Sequence, residues 1–284
     1  MDYVVNVSSG LASAEALERT FAAHGKEYTI GIFADVKGNN PSEHAGEDAD
    51  NYRFLADIER YFAIEIVRIV EGRDIWQAMF DARAITIPSG AGRVAKCSID
   101  LKREPLDAWI ESHYTPDECI QVVGLDWSEP HRIASFEAAK APYRCWFPLN
   151  EAPYIDRRYL VEKWQARGIE PPRLYAAGFN HGNCGGFCVK AGLSHFARLY
   201  HWNRERYFYH ADKEALFRAT VNAKATILRL RHGGAVTPIT LYEFAAMIEA
   251  GGSFERDDSD GCGCFAPVVQ ERMDDLLLET DVKR

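Results

Sequence analysis

The strongest constraint on the fold lies in the first seventy residues, where short apolar runs alternate with helical periodicity. Tyr3-Val-Val-Asn-Val7 is a β-branched run that enters the turn Ser8-Ser-Gly-Leu-Ala-Ser13, and Ala14 to Phe21 follows at helical spacing. Glu27 to Phe33 reads as a second strand and Ile64 to Val70 as a third. Between them, Asn51 to Phe62 places Phe54, Leu55, Ile58 and Phe62 on one helical face. The order β-α-β-α-β predicts an α/β fold: a parallel, Rossmann-like sheet with right-handed crossovers and helices packed against it.

In such a unit the turn after the first strand is a ready anion site. N–H groups at a helix start lack intrahelical acceptors, and the helix dipole adds partial positive charge. Ser8, Ser9 and Ser13 supply hydroxyls, and Gly10 allows close approach of the backbone. The same residues also suit an ordinary serine-capped surface helix, since the turn is neither the dinucleotide G-x-G-x-x-G pattern nor a P-loop. Asp35, at the carboxyl end of the second strand, can take hydrogen bonds from a ribose or an adenine amino group, or simply cap the next turn. Residues 37–48 are polar and rich in Gly and Asn, a loop able to close over a ligand.

Farther along, Asp74 to Phe80 reads as a short helix and residues 85–94 as a Pro/Gly/Ser loop. The loop leads to Lys96-Cys-Ser-Ile-Asp-Leu-Lys102, ahead of an amphipathic helix over Pro105 to Ser112. A cysteine, a serine and a lysine here, Cys97, Ser98 and Lys102, can form a cationic wall beside an anion, with Cys97 and Lys102 as candidate catalytic residues; a buried Cys97 under a helix start is the plainer alternative. Cys119 to Gly124 is the next strand, and it runs into Leu125-Asp-Trp-Ser-Glu-Pro-His-Arg132 on the same edge as Ser8 and Asp35. From Tyr143 the chain becomes dense in aromatics, prolines and arginines. A boundary at that point divides a nucleotide-binding core, 1–142, from a mainly helical region, 143–284. The latter has helices expected over 155–168, 191–202, 212–224 and 241–250, and a strand-like stretch at 226–231.

Two close cysteine pairs mark this second region. Cys184 and Cys188 flank Gly185-Gly186, and Cys262 and Cys264 flank Gly263. The glycines let the backbone turn two thiolates toward one point, which suits four-cysteine zinc or a 4Fe-4S cluster. Two unrelated pairs of thiols, or a nucleophilic Cys262 or Cys264, satisfy the same spacing. Seven cysteines without a secretory leader argue against a disulfide framework and for a cytoplasmic chain. No apolar run reaches the length of a membrane span. The net charge of −9 disfavours broad nucleic-acid binding.

Taken in order, Ser8-Ser-Gly-Leu-Ala-Ser13, Phe33-Ala-Asp-Val36, Cys97 to Lys102 with Pro105-Leu106, and Gly124 to Arg132 resemble a known superfamily. It is the adenine-nucleotide α-hydrolase-like (PP-loop) superfamily, in its phosphoadenosine phosphosulfate (PAPS) reductase-like branch with relatives in phages and in DNA phosphorothioation. The resemblance spans residues 3 to 150. It implies that Ser8, Ser9, Gly10 and Ser13 hold phosphate or sulfate, that Asp35 contacts adenosine, and that Lys102 and Arg132 neutralise anionic oxygens. The implied ligand is an adenine nucleotide, PAPS or ATP. The implied partners are that small molecule, a redox or sulfur donor protein, and a second copy in a homodimer. Three positions depart from the family: Ser9 replaces a glycine, Ala12 an acidic residue and Asp126 an arginine. The leading expectation is a PAPS reductase-like enzyme carrying out sulfur-linked chemistry near the cysteine site. Its alternatives are a PP-loop ATP pyrophosphatase that adenylates an acceptor for thiolation, and a nucleotide sensor with structural zinc.

Overall fold

The computed structural model describes residues 1–89, 92–232 and 235–254. Five strands form an all-parallel sheet: β1 (Asp2–Asn6), β2 (Thr29–Asp35), β3 (Ile66–Val70), β6 (Cys119–Val123) and β7 (Arg144–Trp146). Their spatial order is β3-β2-β1-β6-β7. The chain steps outward from β1 through β2 to β3, then returns to place β6 on the other side of β1, so β1 and β6 are a topological switch point. Registers such as Val4 beside Ile30 and Val5 beside Val122 leave the central strands apolar on both faces. The expected Rossmann-like α/β sheet is thus present, and its fifth strand comes from beyond residue 142.

Helices cover both faces. The helices α1 (Leu11–His24), α2 (Ala49–Phe62) and, later in the chain, α7 (Arg157–Ala166) share a core of Val5, Leu17, Phe54, Ile58, Val122 and Trp164. Opposite, α5 (Glu104–His113) packs Leu106 and Ile110 on Val4, Ile32 and Cys119. α2 starts at Asp48, whose carboxylate accepts from Asp50 N at 2.9 Å. α3 (Ile75–Asp81) starts with a capping box of Asp74 and Gln77.

The loop expected over 85–94 contains two short antiparallel strands instead, β4 (Thr86–Ser89) and β5 (Gly92–Ala95). Ile85, Thr86, Ile87 and Val94 are strand formers, and cross-strand pairing outweighs the local Pro and Gly signals. Between β5 and the end of α5 the chain is helical: α4 (Lys96–Ser98), a π-helical turn over Ile99–Arg103, and α5. A short helix, α6 (Ile133–Lys140), links β6 to β7.

The second region has its own core. α8 (Arg173–Ala176), α9 (Leu193–Trp202), α10 (Arg204–Thr220), the hairpin of β8 (Leu228–His232) and β9 (Ala235–Ile239), and α11 (Leu241–Glu249) gather around Phe187, Phe196, Tyr207, Phe217 and Phe244. α3 belongs to this core as well: Trp76 is buried in it and donates from Nε1 to His210 Nδ1 at 2.9 Å. Among the described residues no helix is long and apolar enough to cross a membrane.

Candidate functional site

A cavity of about 560 Å³ opens at the carboxyl ends of β1 and β6, where the strand order reverses. Its walls come from the Ser8–Ser13 turn, the Gly124–Arg132 turn after β6, Lys102 on the π-helical turn, and residues between Leu149 and Asn183. The volume falls in the range of small-molecule sites, and the position is the one where open α/β sheets take their ligands.

The Ser8 turn is held by its own hydroxyls. Ser13 Oγ accepts from Ser8 N at 3.0 Å and donates to Gly10 O at 2.9 Å, and Ser9 Oγ donates to Ser8 O at 2.6 Å. Gly10 caps α1 with no side-chain bond, and Leu11 N donates to Tyr175 Oη at 3.3 Å. For Ala12 and Ser13, in the first turn, the helix itself supplies no acceptor to their N–H groups, and both residues line the cavity. Gly124 lies so close that a Cβ there would stand 3.1 Å from Ser13 N and 3.0 Å from Ala12 O. Any side chain at 124 would push β6 off the turn.

Three cations line the cavity. Lys102, 7% exposed, has its Nζ 3.5 Å from Glu47 Oε1. Burial raises the Glu47 pKa; Lys102 and an N–H donated by Cys184 oppose the shift, and Asp35 adds to it. A π-helical turn widens the backbone, and here it delivers Lys102 to the cavity ahead of α5. Arg132 pairs with Glu129, and its Nε is buried without a hydrogen-bond partner. Arg157 Nη1 donates to Asn180 Oδ1 at 3.2 Å. Glu47, Asp126, Glu129 and Asp156 also line the cavity, so its charge is mixed. Ala12 is the apolar residue where the resembled ATP-cleaving turn carries an acid.

Of the residues singled out in the sequence, Ser8, Gly10, Ser13, Lys102 and Arg132 meet in this one cavity. Ser9 does not line it; it is buried in a left-handed conformation (φ 57°) beneath the turn. Asp35 also lies outside the lining, accepting from Tyr52 Oη at 2.7 Å and Lys37 N at 3.0 Å. Cys97 packs against the core of the second region rather than on the cavity. Burial raises the thiols of Cys119 and Cys145 to about 11, which keeps them protonated at neutral pH.

Cys184 and Cys188 are both buried at the edge of the second core, and Asn183, the neighbour of Cys184, lines the cavity. Cys184 and Gly185 take left-handed backbone conformations, with φ of 52° and 60°. Cys262 and Cys264 lie outside the described residues. The described pair therefore offers two of the four thiols that a tetrahedral or cluster site needs.

Glu47, Arg157 and Tyr175, which the sequence did not single out as site residues, also line the cavity, as does His181. None of them belongs to a motif that marks a site, although Arg157 starts an expected helix and Glu47 lies in the loop over 37–48. Their only advance signal was polarity beside Gly and Pro. Burial, with His195, Lys102 and Arg157 adding to it, lowers the His181 pKa to about 3, so its ring is neutral at physiological pH. Compared with protein-family models and with curated proteins, the chain matches none.

Proposed function

We propose that this protein is a PAPS reductase-like enzyme of the adenine-nucleotide α-hydrolase-like type, and that the switch-point cavity holds its nucleotide. One observation carries the reading: the Ser8 turn, Lys102 and Arg132, distant in sequence, converge on one cavity at the carboxyl edge of a parallel sheet. The helix-start N–H groups receive a phosphate, and Lys102 and Arg132 balance the charge of a neighbouring sulfonyl or phosphoryl group. In the reductive reaction an external thiolate attacks the sulfonyl sulfur. The sulfur–oxygen bond to the nucleotide breaks, its electron pair leaves with the nucleotide phosphate, and a second thiol releases sulfite as a disulfide forms. The two cations favour that step because negative charge builds on the leaving oxygen. Ala12 favours reduction over ATP cleavage and adenylation, since the acid of the ATP-cleaving turn is replaced by a methyl group. In this reading Cys184, Cys188, Cys262 and Cys264 hold a 4Fe-4S cluster or zinc, which when bound supplies redox chemistry, sulfur relay or a structural pin.

Calorimetric titration with PAPS, adenosine phosphosulfate and ATP tests the reading. We expect binding of at least one of them to weaken by about tenfold or more in Lys102→Met and in Arg132→Met, each of which removes a charged contact. Sulfite release with a dithiol reductant separates an enzyme from a sensor, which leaves the nucleotide intact. Failure of all three nucleotides to bind the full chain overturns the proposal.

A further inference from the structure

Away from the cavity, Glu43, His44 and Glu205 bring one ligand atom each within 4.8 Å of the other two. They come from two elements. Glu43 and His44 lie on the loop between β2 and α2, and Glu205 is in the first turn of α10. What brings them together is Arg206, only 2% exposed, whose Nη2 donates to Glu43 O at 2.6 Å. Its Nη1 donates to His44 O at 3.3 Å and Gly46 O at 3.2 Å. The guanidinium thus bonds to backbone carbonyls rather than to the carboxylates, and it draws the loop onto the helix turn that carries Glu205. Asn203 Oδ1 accepts from Arg206 N at 2.9 Å and fixes that turn.

Two carboxylates held side by side repel unless a cation joins them. Among the described residues neither Glu43 nor Glu205 has a lysine or arginine ion pair. The third member is an imidazole, and His44 Nδ1 is buried without a hydrogen-bond partner. Oxygen and nitrogen ligands stand about 2.0 to 2.3 Å from a divalent ion, hence about 3 to 4.6 Å from one another. The spacing of the trio, within 4.8 Å, lies at the upper end of that range, and the two glutamates are exposed.

We propose that Glu43, His44 and Glu205 form a binding site for a divalent cation of the manganese or zinc class, independent of the nucleotide cavity and of the cysteines. Imidazole with two carboxylates is a borderline-to-hard donor set, and the exposed position leaves room for water to complete the shell. The ion ties the β2–α2 loop to α10. The same loop carries Glu47 into the cavity, so the site braces one cavity wall from outside.

The test is a Mn2+ titration of the full-length protein, followed by the electron paramagnetic resonance signal of the free ion, which disappears on binding. One strongly bound Mn2+ per chain is expected. Glu205→Gln and His44→Ala should each weaken it by about tenfold or more. Glu205 is exposed, so its variant should fold as the wild type, which a thermal melt without metal checks. Added Mn2+ should raise the melting temperature of the wild type and leave that of Glu205→Gln unmoved. Absence of binding at millimolar Mn2+ overturns the proposal. So does equal binding by wild type and both variants, which would locate the ion elsewhere.

Discussion

Two turns contribute walls to the cavity, Ser8–Ser13 and the stretch Asn180–Gly186 through its first four residues, and they are stabilised in different ways. Each holds a non-glycine residue in the left-handed region, Ser9 at φ 57° and Cys184 at φ 52°. In the Ser8 turn the cost is offset locally, by hydrogen bonds among Ser8, Ser9, Gly10 and Ser13. In the other turn the support comes from far along the chain. Cys184 N–H donates to Glu47, Asn51 Nδ2 donates to Gly182 O at 2.6 Å, and Gly185 lies flat on Arg206. A Cβ at 185 would stand 1.9 Å from Arg206 Nη1, which is itself bonded to two loop carbonyls. One wall is therefore held chiefly by its own bonds, with Tyr175 and Gly124 as its distant contacts. The other is a product of tertiary packing, and the two should fail under different perturbations.

The sharpest separation should come from Arg206→Ala, which leaves three loop carbonyls and a packed glycine turn without their common partner. Losing a buried charged group with several bonds should cost about 3 to 5 kcal/mol, read as a lower urea midpoint. Hydrogen exchange of whatever folded protein remains should show the Asn180–Gly186 wall loosened and the Ser8 turn intact.

Acid should act on the same wall next. Residues 8–13 carry no ionisable side chain, whereas His181 titrates in the folded protein near 3. An unfolded histidine titrates near 6.5, so the unfolded chain takes up the proton first and stability is lost as pH falls from about 6.5 toward 3. At pH 4 that contribution is roughly 3 kcal/mol. In His181→Asn the melting temperature should decline less steeply over this window. Parallel wild-type and variant curves would show that the ring is not held neutral.

The smallest effect is expected at Ser9. Ser9→Gly relieves the left-handed conformation but loses the hydroxyl bond to Ser8 O and adds chain entropy to the unfolded state. These terms nearly cancel, leaving stability within about 1 kcal/mol of wild type by thermal denaturation. A loss of several kcal/mol would mean that the Ser8 turn depends on its contacts with Tyr175 and Gly124 more than on its own bonds.

The first seventy residues were legible because strand and helix periods there are strong and local, and a β-α-β alternation admits few topologies. Ser8, Gly10 and Ser13 could be singled out because turns after strands gather at one edge of a parallel sheet, whereas Lys102 stood out as a cation just ahead of a helix and Arg132 through the family resemblance. The aromatic stretch around Arg144–Trp146 resisted reading because a three-residue edge strand has no period of its own. The β4–β5 hairpin was masked by its Pro and Gly content. Within the site, Ser9 and Asp35 have the right chemistry in sequence, but the fold turns Ser9 beneath its loop and ties Asp35 to Tyr52.

The sequence by itself determined the parallel α/β sheet and the place of the serine turn at its carboxyl edge, because both follow from local spacing and from the geometry of a helix start. Only the tertiary structure decided that Glu47, Arg157, Tyr175 and His181 complete the cavity, and that α3 belongs to the second core. It alone set Arg206 beneath the far turn and, with it, Glu43 and His44 beside Glu205. The bonds from Arg206 to the β2–α2 loop span 160 to 163 residues of chain. They are fixed by burial and by the need of buried polar groups for partners, neither of which leaves a periodic trace in sequence.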